Sequence, residues 1–419
     1  MRVAFAHYSE PNDIGGVTTW VMAIARRLQA DGIEVGIHLL HNKANDPNTS
    51  SLFSELCDAN IHLSWASAHP NLMRDASQTL AFLNSWQPTL FLPQCKPAHY
   101  VAAAIAGLQG LPWVLTIHSD DPDYWAVARS LPPTHYGGRT VGVSEHISRR
   151  VVDDGFDPHP WVIPYGVVVP LASTRFHSQP FRVVYSGRLW EHQKRASLVI
   201  DTLISACGKD ASIVATVIGD GYARQACEDK VAAAGLAHAI TFTGRLPPTD
   251  VQTILCNCQA ILLMSDFEGL PVALLEAMAA GVVPVVREIP SGIPELIHQE
   301  QTGLLVSDDP EAAAAALIRL AGDPSLWRHC SNAARQLVVE RYSESKSYAS
   351  WLQLIQDLDQ RSSPIYPIQF RNQIHLRHLD PLLHAPYQST TGFQASAKRL
   401  LSTYQAKAKY AAKRLFYNP

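Results

Sequence analysis

Short apolar runs recur along this chain, each separated from the next by a stretch with helical spacing, and that alternation constrains the fold most. In a first series the runs fall at 3–6, 35–40, 90–92, 113–117, 140–143 and 161–163. Between the first two, Val21, Ile24, Ala25 and Leu28 recur at helical spacing within 17–28, and Asp31-Gly32 stops the helix. A second series starts at Phe181, with runs at 182–185, 213–218, 240–242, 260–263 and 282–286. Strands alternating with helices need right-handed crossovers, so each series predicts a parallel sheet covered by helices on both faces. Residues 164–180 between the series have little periodicity and form the expected hinge. The expectation is an α/β chain of two doubly wound domains, with a cleft at the carboxyl ends of their strands, where such sheets bind ligands.

Composition narrows the function classes. The chain has 419 residues, enough for two to four domains at roughly 100–200 residues each. With 47% apolar and 17% charged residues, disorder and coiled coil are both poor readings. No run approaches the ~18 apolar residues of a membrane span. No charged n-region and apolar h-region precede the first strand, so the expected location is the cytoplasm. A net charge of −3 argues against nucleic acid as a partner. Six basic residues (Lys398, Arg399, Lys407, Lys409, Lys413, Arg414) and no acidic one lie beyond residue 380, leaving a body of −9. None of the seven cysteines forms Cys-x-x-Cys. Cys256 and Cys258 would share a face of a strand, but no second pair completes a zinc site, so buried free thiols are expected.

Past the second series, Trp351, Leu352, Leu354, Ile355 and Leu358 predict one more amphipathic helix. Residues 361–394 look irregular, with Pro364, Pro367, Pro381 and Pro386. Residues 395–416 regain helix propensity, with Ala397, Leu401, Tyr404, Ala408, Ala411 and Leu415 in one stripe. The expected division is 1–172, 173–343, a helix at 344–360 crossing back to the first domain, and a tail over 361–419. A basic helix in the tail could touch anionic lipid at the inner face of the cytoplasmic membrane, weakly because its stripe is mostly alanine, but a solvated or protein-packed helix is the favoured reading.

The chemistry concentrates where an apolar strand runs into Ser265-Asp266-Phe267-Glu268-Gly269-Leu270-Pro271 and a helix that holds Glu276 and ends near Gly281. Pro271 suits the first turn and Gly281 the end. A helix N-terminus offers N–H groups and a positive dipole end to a phosphate. Ser186-Gly187-Arg188-Leu189 ends another strand, with Lys194 following, and fixed cations there would stabilise a departing diphosphate. Gly15-Gly16 joins the first strand to the first helix, where glycine permits close approach of backbone to a ligand. The pattern is neither Gly-x-Gly-x-x-Gly nor a Walker A loop. His118 ends the 113–117 strand, facing the expected cleft. Asp121-Pro122-Asp123 could hold a divalent metal, but it lies in the first domain, opposite the expected diphosphate pocket; it reads as loop or helix-start acid, and no required metal is expected.

The run from Glu268 through Gly269-Leu270-Pro271 to Glu276-Ala277-Met278-Ala279-Ala280-Gly281 resembles the Glu-x7-Glu signature of retaining glycosyltransferases of the GT-B fold, specifically glycosyltransferase family 4. The resemblance covers roughly residues 1–360 and is strongest over 181–306. It implies a GT-B architecture: an acceptor-side Rossmann-like domain, a nucleotide-sugar-binding one, and a C-terminal helical extension. It implies that Arg188 and Lys194 bind the donor diphosphate, Arg195 being the alternative to Lys194 because the loop is about one residue longer than the family pattern. Glu268 and His118 would meet the donor sugar and Glu276 the ribose, while Gly15, Gly16, Gly187, Gly269, Leu270 and Pro271 would line the donor. Weaker matches are Val143-Ser144-Glu145, Gly219-Asp220-Gly221 and Phe242-Thr243-Gly244-Arg245. Ile163-Pro164-Tyr165-Gly166 is similar to the family's interdomain Pro-Asn-Gly segment, with Tyr165 in place of Asn and Val168 in place of Asp. The implied reaction is front-face transfer from a nucleotide-sugar, which is a substrate and not a cofactor, to a glycan or lipid-linked hydroxyl. A nucleotide-sugar epimerase and a non-catalytic binding module are the competing readings.

Overall fold

The computed structural model describes residues 1–9, 15–41, 56 and 59–369. The basic tail at 395–419 lies outside them.

Seven strands form the first sheet: β1 (Arg2–Ser9), β2 (Glu34–His41), β3 (His62–Ser67), β4 (Leu90–Pro93), β5 (Trp113–Ile117), β6 (Gly138–Gly142) and β7 (Trp161–Val162). Their order is β3-β2-β1-β4-β5-β6-β7, and every pairing is parallel. Helices α1 (Gly16–Ala30), α2 (Leu72–Trp86), α3 (Pro97–Gly107), α4 (Pro122–Ser130) and α5 (Glu145–Asp153) make the crossovers. The central strands β4 and β5 are buried at every position, which is why they read as unbroken apolar runs. The edge strand β3 carries polar residues and a Trp65 that is nearly half exposed, so it gave no such run.

The second sheet has six parallel strands: β8 (Phe181–Ser186), β9 (Ile213–Ile218), β10 (Ile240–Gly244), β11 (Ala260–Leu263), β12 (Val283–Arg287) and β13 (Leu304–Val306). Their order is β10-β9-β8-β11-β12-β13. Around it lie α6 (Ala196–Lys209), α7 (Arg224–Ala233), α8 (Pro248–Leu255), α9 (Val272–Ala279), the single turn α10 (Ile293–Leu296), α11 (Pro310–Gly322) and α12 (Pro324–Arg341). Sequence reading missed the three-residue β13. Cys256 is not on a strand: it ends α8, and buried Cys258 leads into β11. Both thiols are free and are pushed upward by burial.

Helix α13 (Glu344–Gln360) crosses back to the first domain. Its Trp351 ring lies 5.0 Å from that of Trp20, and the Tyr348 hydroxyl donates to Asp31 at 2.6 Å. The chain then continues over the same domain without regular structure: Tyr366 donates to the Pro88 carbonyl, and Ile368 and Asn84 exchange two hydrogen bonds. Among the described residues no helix is long and apolar enough to cross a membrane.

Candidate functional site

In the second domain the loop after β8 and the loop entering α9 meet. Arg188 is exposed, its guanidinium 4.4 Å over the Trp190 ring and donating at 2.7 Å to Gln193 Oε1. Buried Gln193 passes the contact on: its Nε2 donates to the Phe267 carbonyl at 3.1 Å, and its own carbonyl accepts from Asp266 N at 2.9 Å. The Tyr185 hydroxyl donates to the Arg188 carbonyl at 2.8 Å. Sequence reading missed Tyr185 and Gln193. Both act through contacts to loops, which residue order alone does not carry.

Lys194 Nζ stands 2.5 Å from Glu268 Oε1, both side chains largely buried. Arg195 points elsewhere, bonding Asp308 and lying 3.7 Å from Asp266 in a network with Arg287. Of the two cations open in the sequence reading, Lys194 is the one the fold turns toward Glu268. Gly187 packs over Tyr185, where an added Cβ would lie 3.0 Å from the hydroxyl.

Pro271 sits one position earlier than expected: it is the N-cap of α9, extended at ψ 110°, and not a first-turn residue. Gly281 follows the last turn at φ +80°, a conformation that favours glycine. Glu276 lies within α9, half-buried, and its carboxyl has no hydrogen-bond partner among the described residues. Burial pushes its pKa up to about 7. Leu270 is buried beneath the loop.

The first domain meets this loop directly. A Cβ on Gly269 would lie 2.4 Å from the His118 carbonyl oxygen, so the backbone of the two domains touches there. A Cβ on Gly16 would lie 3.6 Å from Val272 Cγ2, which sets the start of α1 against the start of α9. Gly15 is the N-cap of α1 at φ −61°, neither glycine is left-handed, and 3.6 Å from Val272 is ordinary contact, so at Gly16 the described neighbours do not require the lack of a side chain.

The His118 imidazole is buried and fully engaged. Nδ1 meets the Tyr165 hydroxyl at 2.5 Å, and Nε2 meets Gln94 Oε1 at 2.6 Å. Burial, with nearby His7, holds its pKa down at about 3, so the ring is neutral and is no proton carrier near neutrality. Contact with a sugar would require exchange of one of these bonds. Tyr165, the departure from the interdomain pattern, is therefore the partner that fixes this histidine. Asp121 is the N-cap of α4, accepting from Asp123 N at 3.0 Å, the helix-start alternative of the two left open by the sequence. Among the described residues no group of three His, Cys, Asp or Glu side chains could hold a metal ion.

Residues 180–323 match the family model of glycosyl transferases group 1, and residues 14–169 match that of glycosyltransferase family 4. The chain is 30% identical to the amylovoran biosynthesis glycosyltransferase AmsK of Erwinia amylovora over 43% of this chain and 46% of that protein, about half its length. It is 23% identical to the glycogen synthase of Mycobacterium tuberculosis over 82% of this chain and 91% of that protein. Among solved structures, Anabaena HepE in complex with UDP and glucose superposes with a TM-score of 0.72 at 17% identity, over 85% of this chain and 100% of that one. The sucrose-phosphate synthase of Thermosynechococcus elongatus gives 0.71 at 18%, over 86% and 100%. At such identities the likeness is one of fold: two facing Rossmann-like domains, the GT-B architecture.

Proposed function

Because the chain belongs to glycosyltransferase family 4, the glycosyl transferases group 1, we propose that it moves a sugar from a nucleoside-diphosphate sugar to an acceptor hydroxyl with retention of anomeric configuration and without a required metal. The observation that carries this reading is the meeting of Lys194 with Glu268 at the entry to α9, the helix that also holds Glu276, whose carboxyl is unpartnered among the described residues. Arg188, Lys194 and the first-turn N–H groups of α9 receive the departing diphosphate. Fixed donors in a dry cleft lower such a barrier most because they need no reorganisation as charge develops. Glu268 takes sugar hydroxyls beside the phosphates, and Glu276 takes the ribose. His118 stays neutral beside the sugar and acts through its place in the loop. Closing the cleft limits hydrolysis of the donor.

UDP is the favoured donor nucleotide, supported by the UDP and glucose in the HepE structure. The acceptor in this reading is a glycan or lipid-linked hydroxyl; a biosynthetic role has the support of AmsK, named for amylovoran biosynthesis. The basic tail would assist by weak contact with anionic lipid.

The test is incubation with UDP-sugars with and without oligosaccharide or lipid acceptors, with the product's anomeric centre read by NMR. Acceptor-dependent UDP release with retention is expected, and Arg188→Ala and Lys194→Ala each lower transfer by roughly a hundredfold while melting stays cooperative. Full turnover by the folded double variant refutes the assignment. Donor isomerisation without acceptor would instead identify an epimerase, and binding alone a silent module.

A further inference from the structure

Helix α5 of the first domain begins at the interdomain cleft. Ser144, its N-cap, satisfies Ile147 N at 3.3 Å, which leaves the N–H groups of Glu145 and His146 to find partners elsewhere. Their partner comes from the other domain. Glu295, on the turn α10, accepts from Glu145 N at 3.1 Å with one carboxylate oxygen and from His146 N at 3.0 Å with the other. A bidentate carboxylate on two first-turn amides adds its charge to the positive end of the helix dipole. The loop that carries Glu295 is fixed to the sugar-side loop, since Gly292 N donates to the Gly269 carbonyl at 2.8 Å. Gly292 itself packs closely enough that a Cβ would lie 3.0 Å from Ser144 Cβ. One rigid path therefore runs from α5 through Glu295 and Gly292 to Gly269, and Gly269 stands against the His118 carbonyl.

We propose that Glu295 is a positioning residue: its carboxylate anchors the second domain on the N-terminus of α5 and thereby sets the separation at which the Glu268–Gly269 loop faces His118. The role rests on the transferase reading for its effect on turnover, but the anchor itself does not. Arg188, Lys194 and Glu276, the charged contacts to the nucleotide, all belong to the second domain, and the first domain adds only the backbone of Gly15 and Gly16, so nucleotide affinity should depend on the anchor far less than transfer, which needs both domains at a fixed distance.

Hydrogen exchange on the full chain tests the anchor without any turnover. In the wild type the Glu145 and His146 amides are expected to be protected, although first-turn amides ordinarily exchange fast. Glu295→Ala should remove that protection and enlarge the radius of gyration in solution scattering, with melting still cooperative. Glu295→Gln, which keeps an acceptor and drops the charge, should retain part of both. In transfer assays Glu295→Ala should lower kcat roughly five- to tenfold, the size of a lost helix-cap interaction, with UDP affinity changed by less than about twofold. Protection that survives Glu295→Ala overturns the anchor. Lost protection with an unchanged kcat overturns the positioning role. Absence of any transferase activity in the wild type, with protection lost in the variant, would count against the transferase reading and leave the anchor standing.

Discussion

At the scale of single residues, Glu276 gives the sharpest consequence. Its carboxyl has no protein partner among the described residues, and burial lifts its pKa from about 4.5 to about 7. A ribose hydroxyl donates to the carboxylate and not to the neutral acid. Donor affinity should therefore fall as pH drops through 7, approaching tenfold per unit well below the pKa. Titration calorimetry with UDP at pH 8 and pH 6 checks this, and equal affinities would remove Glu276 from the nucleotide site. The same shift has an opposite sign for the fold. Between pH 4.5 and 7 the folded state holds a proton that the unfolded chain has lost, so stability declines as pH rises through that window. Glu276→Gln escapes the decline and should gain about 1–3 kcal/mol at pH 8, with little change at pH 4, while losing donor affinity. A pair of glutamates eight apart was legible in the sequence. That one would be paired with Lys194 and the other left unpaired was not, because pairing depends on which strand end lies beside which loop.

At the scale of elements, the loop from Glu268 to Pro271 shows what glycine is for. Gly269 does not need an unusual backbone angle; it needs the absence of a Cβ, because the His118 carbonyl oxygen would lie 2.4 Å away. Gly269→Ala must push the domains apart locally, since neither backbone can give way as a flexible side chain would. Transfer is expected to fall at least roughly tenfold, as small displacements of reacting groups do, with UDP binding within a few-fold of wild type and melting little changed. A fully active Gly269→Ala enzyme would show that the close approach is dispensable. Similarly, α1 and α9 were both foreseeable from capping and periodicity, but their mutual approach across the cleft depends on packing between domains. The edge strand β3 and short β13 escaped sequence reading for a plain reason: neither is long enough or apolar enough to leave a periodic signal.

On the scale of the whole molecule, α13 and the segment after it tie the end of the second domain to the first. Val167 and Ser343 pair as an isolated bridge, so two chain crossings lie side by side between the domains. Trp351 is almost fully buried against Trp20, which in turn lies edge-on to the His118 ring at 5.2 Å. Trp351→Ala should cost about 3–5 kcal/mol, seen as a lower midpoint for the first domain in calorimetry, and should loosen the histidine site indirectly. A midpoint equal to wild type would mean that the crossing helix contributes nothing to the first domain.

The alternation of apolar runs with helical spacing fixes two parallel sheets, since buried central strands such as β4, β5 and β11 must be apolar on both faces. Local order along the chain likewise places Arg188, Lys194 and Glu268 at strand ends and helix starts, which is where an α/β sheet exposes polar groups, and puts Glu276 inside the helix that follows. What local order cannot carry is contact between residues far apart in the chain. The pairing of Lys194, and not Arg195, with Glu268, the bracing of Arg188 by Gln193, the neutral His118 held by Tyr165 and Gln94, and the grip of Glu295 on α5 were all decided by how loops from different strands, and from different domains, pack together.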